Sequence, residues 1–298
     1  MNFKIQLINQ QENEKFIYDY SFADILLRIF SIAWIGHVIF AFEENKNRPT
    51  SLFEPLIWIQ KWLSPNLPSN FLFYSVVSVA IFLCVYTIFN KKIIYRVSLF
   101  LLLLWLNTIK WNYNFFSHVG HLFLLAHFFT LFIPSKTIEH LNSTIEIKQF
   151  SYSIRWAYAG VLITYTMAGF WKFLALFSKI LFHPNQINWL SEDAAELNAI
   201  VSARLWDETV PNFMLKFYDI PLFWQIGTLV IFTAQLLAVF GAFNKKISYY
   251  ILTLLVLFHI YNMLFINTHF YASTFVLLIL LFPYHLLINK YFKQSYSH

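Results

Sequence analysis

Charge is scarce in this chain. Asp, Glu, Lys and Arg make up 12% of its 298 residues, whereas soluble domains carry about a quarter. With 58% of residues hydrophobic and a mean hydropathy of +0.55, the apolar surface cannot all be hidden from water. A soluble class is excluded, and a lipid bilayer is the expected partner. Cys84 is the only cysteine, so no internal disulfide can form; its apolar setting argues against thiol chemistry. No glycine-rich phosphate loop, GxSxG, CxxC or HExxH is found, which removes most soluble-enzyme readings. The net charge is +6, yet no basic cluster looks built for nucleic acid, and none is expected as a partner. The opening MNFKIQLINQQENEKF is too polar for a signal peptide, so the first span is expected to be retained.

Long apolar runs are what remains. A helix needs about 20 apolar residues to cross the hydrocarbon core, and eight segments qualify: 21–42, 71–90, 94–111, 115–133, 152–177, 221–243, 247–265 and 270–288. They lack the polar and apolar alternation of barrel strands. The expected fold is therefore an all-α integral membrane bundle of about eight helices, forming a single domain over 1–298 with no large soluble part. Two connections are long, 43–69 and 178–220. Within them LFEPLIWIQKWL (52–63) and NWLSEDAAELNAIVSARLW (188–206) have the spacing of interfacial helices. Ser191 with Glu192 or Asp193 offers a helix start in the second. These segments either lie in the headgroups or roof a cavity that opens outward.

Orientation follows from the basic residues. The N-terminal tail, alternate connections and C-terminal tail hold Lys4, Lys15, Lys91, Lys92, Arg96, Lys136, Lys148, Arg155, Lys245, Lys246, Lys290 and Lys293, twelve against seven on the other side. The expectation is a multi-pass protein of the cell membrane, with both termini cytoplasmic and both long connections outside.

Ionisable residues inside spans each cost about 2.5–3.5 kcal/mol on insertion scales. Lys172 lies five residues before the expected outer end of its span, near enough to snorkel. However, Tyr158, Tyr165, Gly169 and Lys172 follow one another at 7, 4 and 3 residues, which places two phenols, a bare backbone and an amine on one stripe. That face suits a cavity better than lipid. In the seventh span His259 and Asn262 share a face, as interhelical glue or as cavity groups. In the fourth, His118 and His121 share a face and His127 points roughly the other way; without a carboxylate at ligand spacing, no metal site is expected. Asp24 and Arg28, at i and i+4, are expected to pair structurally.

Four stretches carry a family resemblance. TYTMAGFWKF is similar to an aromatic-rich Ala-Gly-x-x-Lys run, with Trp171 where the family has a second lysine. FHIYNMLFINTHF resembles a Phe-His-x-x-Asn stretch before a last membrane segment. ADILLRIF resembles an apolar run containing an arginine, here Arg28, and WNYNFFSHVGHL a Trp-Asn-Asn-His stretch at the start of the fourth span. Together they make the chain resemble the horizontally transferred transmembrane (HTTM) family and the membrane domain of the vitamin K-dependent γ-glutamyl carboxylases, over roughly residues 22–283.

The resemblance implies a carboxylase-like lyase or a quinol oxidoreductase. The family's proposed base falls on Lys172, which would deprotonate reduced vitamin K or menaquinol in a pocket that excludes water. Beside that carry-over, Tyr165, His259 and Asn262 are our candidates for binding the cofactor. The carboxylases have a large lumenal domain after the bundle, and none is expected after YFKQSYSH. Their His-Tyr-Trp stretch is also not preserved in HFFTLFIPSKTIEH. Both departures argue against carboxylation of a protein glutamate, unless a peptide or protein substrate is supplied in trans. The competing expectation is a non-catalytic accessory protein for maturation or export of a secreted peptide. A small transporter is disfavoured by the lack of evident repeats.

Overall fold

The computed structural model describes residues 2–55, 58–63, 65–113, 120–135, 143–205, 207–210, 212–266 and 268–287. These are mainly helical and contain no strand. In chain order the helices are α1 (Asn2–Asn45), α2 (Trp58–Leu63), α3 (Asn70–Phe89), α4 (Ile93–Tyr113), α5 (His121–Thr130), α6 (Thr144–Phe182), α7 (Ala194–Leu205), α8 (Asn212–Tyr218), α9 (Pro221–Leu236), α10 (Lys245–Phe265) and α11 (Tyr271–Leu281). Five stretches are long and apolar enough to cross a membrane: Gln11–Asn45, Asn70–Phe89, Ile93–Asn112, Thr144–Phe182 and Lys245–Phe265. The helices α5, α9 and α11 are apolar but shorter.

Local chemistry sets the boundaries. Ser69 caps α3 by accepting from the Leu72 N–H, and Asn244 caps α10 by accepting from Lys246 and Ile247. Pro221 opens α9, where its missing N–H costs nothing. The helix α6 runs five residues past the expected Phe177, to Phe182, with Pro184 following shortly after; nothing in FSKILF breaks a helix, whereas proline does. Lys172 is consequently ten residues from the helix end. The apolar run 221–243 is not one helix, because after Leu236 it tightens into a 3₁₀ turn over Ala238–Ala242.

The chain forms two units, Met1–Ala157 with Pro283–His298, and Tyr158–Phe282; α6 contributes to both. In the first unit α1 packs on α3 and α4, α3 packs on α4, and α4 on α5. Lipid gives apolar helices no hydrophobic reason to associate, so polar pairs and close packing must hold them. Arg28 donates to Asp24 Oδ1 at 3.1 Å, as the i, i+4 spacing predicts, and also reaches His127 Nδ1 at 2.7 Å. Ser31 gives its proton to the Leu27 carbonyl and so accepts from His127 Nε2 at 2.8 Å. Lys91 adds a second cation to Asp24 at 3.5 Å. Arg96 donates to the carbonyls of Thr130 and Ile133, and Asp19 accepts from both the backbone N–H and the ring of His285. Trp34 donates to Asn107 at 2.9 Å. Gly120 stands so close to this pair that a Cβ there would lie 2.7 Å from Asn107 Oδ1.

In the second unit α10 packs on α9, on the 3₁₀ turn and on α11, and α7 packs on α8. Ala199, Tyr218 and Trp224 form a small core with Tyr261 and Phe265 beside it. Tyr218 donates to the Phe265 carbonyl at 2.6 Å and stacks on Trp224 at 5.2 Å. Burial, and then the charge of Glu196, push its hydroxyl up to about 12.

Candidate functional site

Gly169 explains how the site is built. A Cβ at this position would lie 2.5 Å from the Leu236 backbone nitrogen and 3.0 Å from Gln235. Only a bare backbone lets α6 come this close to the end of α9. Thr166, one turn earlier, accepts from the Val239 N–H at 3.1 Å. Lys172 follows Gly169 by three residues on the same face, and so meets the side chain of Gln235. Its Nζ donates to Gln235 Oε1 at 2.9 Å and lies over the rings of Phe232 and Phe258, at 5.4 and 5.0 Å. Gln235 itself is 2% exposed.

Lys172 is half-buried and opens onto a cavity of about 480 Å³. The wall comes from α9 and α10, including Trp224, Gly227, Phe232, Phe258 and Asn262, and from the segment before and within α7, including Trp189, Ser191 and Asn198. Among these wall residues Lys172 alone carries a charge; the other polar groups are amides, hydroxyls and aromatic edges. The segment before and within α7 forms part of the cavity wall. Its position is pinned from two helices: Lys179 donates to the Ile187 carbonyl at 2.6 Å, and Gln225 to the Leu190 carbonyl at 2.7 Å. Ser191 accepts from the Asn188 N–H at 2.9 Å, so it closes the turn before α7 instead of capping the helix. Trp189 stands edge-on against Phe232, 5.7 Å between centroids.

The residues expected to share a site separate into two groups. Lys172 and Asn262 line the cavity. Tyr165 and His259 are buried and bonded to each other, 3.2 Å from the hydroxyl to Nε2. Thr274 gives its proton to the Phe270 carbonyl and so accepts from His259 Nδ1 at 2.7 Å. This leaves Nε2 as the acceptor for the Tyr165 hydroxyl, and both ring nitrogens are engaged. Asn262 donates to the Phe258 carbonyl one turn back, at 2.8 Å. Tyr158, the first residue of the stripe, is buried at 1% exposure.

Gln235 was not anticipated from the sequence. Its signal was present, as a lone amide in the apolar run IFTAQLLAVF. The partnership of His127 with Arg28 was missed for a related reason, since the two are 99 residues apart in the chain. His121 packs its ring against Trp111 at 5.0 Å, and His118 lies outside the described residues. Among the described residues no group of three or more His, Cys, Asp or Glu could hold a metal ion.

Comparisons of this chain with protein-family models, with curated proteins and with solved structures find no match.

Proposed function

We propose that this chain is a multi-pass membrane enzyme that binds a reduced quinone in the second unit and uses Lys172 as the base. One observation carries the reading: a mainly apolar, aromatic-walled cavity has a lysine as its sole charged wall residue, and that lysine is bonded to a neutral amide. No described carboxylate pairs with it as Asp24 pairs with Arg28. A cation is costly among apolar groups when no counter-charge meets it, and the half-buried amine in that setting is the group proposed to accept the proton. The resemblance of TYTMAGFWKF to the carboxylase run agrees with this role.

The cavity suits a fused-ring quinol in size and lining. Trp224, Phe232 and Phe258 would hold its ring, and Asn262 would accept a bond from one of its hydroxyls. The hydroxyl facing Lys172 would lose its proton to the amine. Tyr165 and His259 would buttress the α6 and α10 faces behind these groups. Reduced vitamin K or menaquinol would supply the oxygen-dependent chemistry known for the carboxylases, with carboxylation of a glutamate on a substrate given in trans as its further use. On this reading α5, α9 and α11 complete an eight-span bundle in the cell membrane, both termini are cytoplasmic, and the α2 and α7 segments lie on the outer side. Trp58 and Trp62, one turn apart on α2 and 75% and 79% exposed, suit an interfacial helix.

The test is epoxide formation by the purified chain in nanodiscs, given menaquinol or vitamin K hydroquinone under oxygen. Wild type is expected to form epoxide and Lys172→Ala to fall to background. Equal yields from the two proteins overturn the proposal.

A further inference from the structure

We infer that Gln235 is the positioning residue for Lys172: its neutral side-chain carbonyl holds the amine by one N–H, turns the remaining valences toward the cavity, and leaves the nitrogen free to change protonation state. This rests on the reading of Lys172 as a base, and extends it to a residue that no sequence motif marks.

Gln235 is buried on the last turn of α9, where the Gly169 contact fixes its backbone against α6. Its Oε1 accepts from Lys172 Nζ at 2.9 Å. Phe232, three residues earlier on the same helix, and Phe258 on α10 cover the amine with ring faces. An uncharged amine has two N–H bonds and one lone pair. With one N–H given to Gln235, and aromatic rings on two sides, the lone pair is directed to the open side.

Proton transfer then balances simply. The ligand hydroxyl becomes an oxyanion, the amine becomes an ammonium ion, and the bond to Gln235 is kept in both states. An amide oxygen can accept from either form, because it carries no net charge. A carboxylate at the same place would instead favour the ammonium form, as an opposite charge within about 4–6 Å does. The amine would then be occupied before any ligand arrived. Glutamate is nearly isosteric with glutamine, so this substitution changes the charge and little else.

The test reads the charge of Lys172 without any quinol. The full-length chain in nanodiscs is treated with trace amine-selective acylating reagent, and labelling at Lys172 is compared by peptide mass spectrometry with labelling at exposed Lys246. Gln235→Glu is expected to lower the Lys172/Lys246 ratio about tenfold near neutral pH, the size of a one-unit change in protonation equilibrium. Gln235→Met, which keeps the volume and removes the acceptor, is expected to hold the ratio within about threefold while slowing quinol oxidation through kcat with KM little changed. A Gln235→Glu protein that elutes and melts like wild type but labels at the wild-type ratio overturns the inference. A Gln235→Glu protein that no longer folds leaves Gln235→Met decisive: wild-type kcat in that variant also overturns it. If labelling shifts as expected but no protein oxidises quinol, the positioning role stands and the quinol reading falls.

Discussion

Arg28 in the first unit and Lys172 in the second are held in opposite ways. In the first, Arg28 is met by Asp24 and by His127, Ser31 completes the histidine's bonding, and Lys91 shares the carboxylate. In the second, Lys172 is met by one neutral amide and two ring faces. A charge with a matched partner holds helices together, and its loss is felt mainly in stability. An amine met by one neutral amide is expected to contribute less to stability than a matched ion pair; on the proposed function, its setting is one in which a base is useful. On the same reading, the contrast separates glue from chemistry in a chain where both look alike in sequence.

The sharpest way to break the comparison is to remove each cation. Arg28→Met leaves Asp24 buried with only the more distant Lys91, and is expected to cost about 3–5 kcal/mol, read as lost thermal or denaturant stability in detergent. Lys172→Met keeps the hydrophobic volume but takes the donor from the buried Gln235 Oε1, and is expected to cost about 1–3 kcal/mol, less than the arginine variant. Similar losses from the two variants would erase the distinction. Next in size is Gly169→Val, because a side chain there meets the α9 backbone at 2.5 Å. A loss of about 1–3 kcal/mol is expected, together with loss of ligand binding, measured by the same unfolding and by quinol titration. Gly227 provides the control: it lines the cavity, yet a Cβ there would meet nothing within 4 Å. Gly227→Phe should therefore block the ligand while leaving the melting temperature near wild type.

Smaller effects sharpen the second unit. His259→Phe breaks the Tyr165–His259–Thr274 chain and should cost about 0.6–1.7 kcal/mol, the range for hydrogen bonds between membrane helices. Tyr218→Phe removes the bond to the Phe265 carbonyl, worth about 0.5–1.5 kcal/mol. The Tyr218 hydroxyl is pushed up to about 12 in the fold, above about 10 for an unfolded tyrosine. A raised value means that the folded state favours the protonated form. That stabilisation is complete below about pH 10 and lost as pH rises through about 12, so the stability advantage of wild type over Tyr218→Phe should shrink over that interval.

Periodicity made part of this visible in advance. Tyr158, Tyr165, Gly169 and Lys172 lie on one helix, and so do Asp24 and Arg28; spacing within a helix is readable from residue numbers. What joins one helix to another is not. Gln235 reaches Lys172 across 63 positions, and His127 reaches Arg28 across 99, in both cases because backbone approach and rotamer decide the pairing. Apolar runs located the helices but not their ends. The helix α6 passes Phe177 because no breaker comes before Pro184, and α9 stops at Leu236 although the run stays apolar to Phe243. His259 shows the same limit at the site: its face was legible, but its bonds to Tyr165 and Thr274, rather than to the cavity, depend on α11.

The most direct measurement is quinol binding and turnover by Lys172→Met in nanodiscs, beside wild type. The account predicts that the variant binds menaquinol within about threefold of wild type while turnover falls to background, the pattern left by removal of a group used only in the reaction. Turnover by Lys172→Met at the wild-type rate would contradict it.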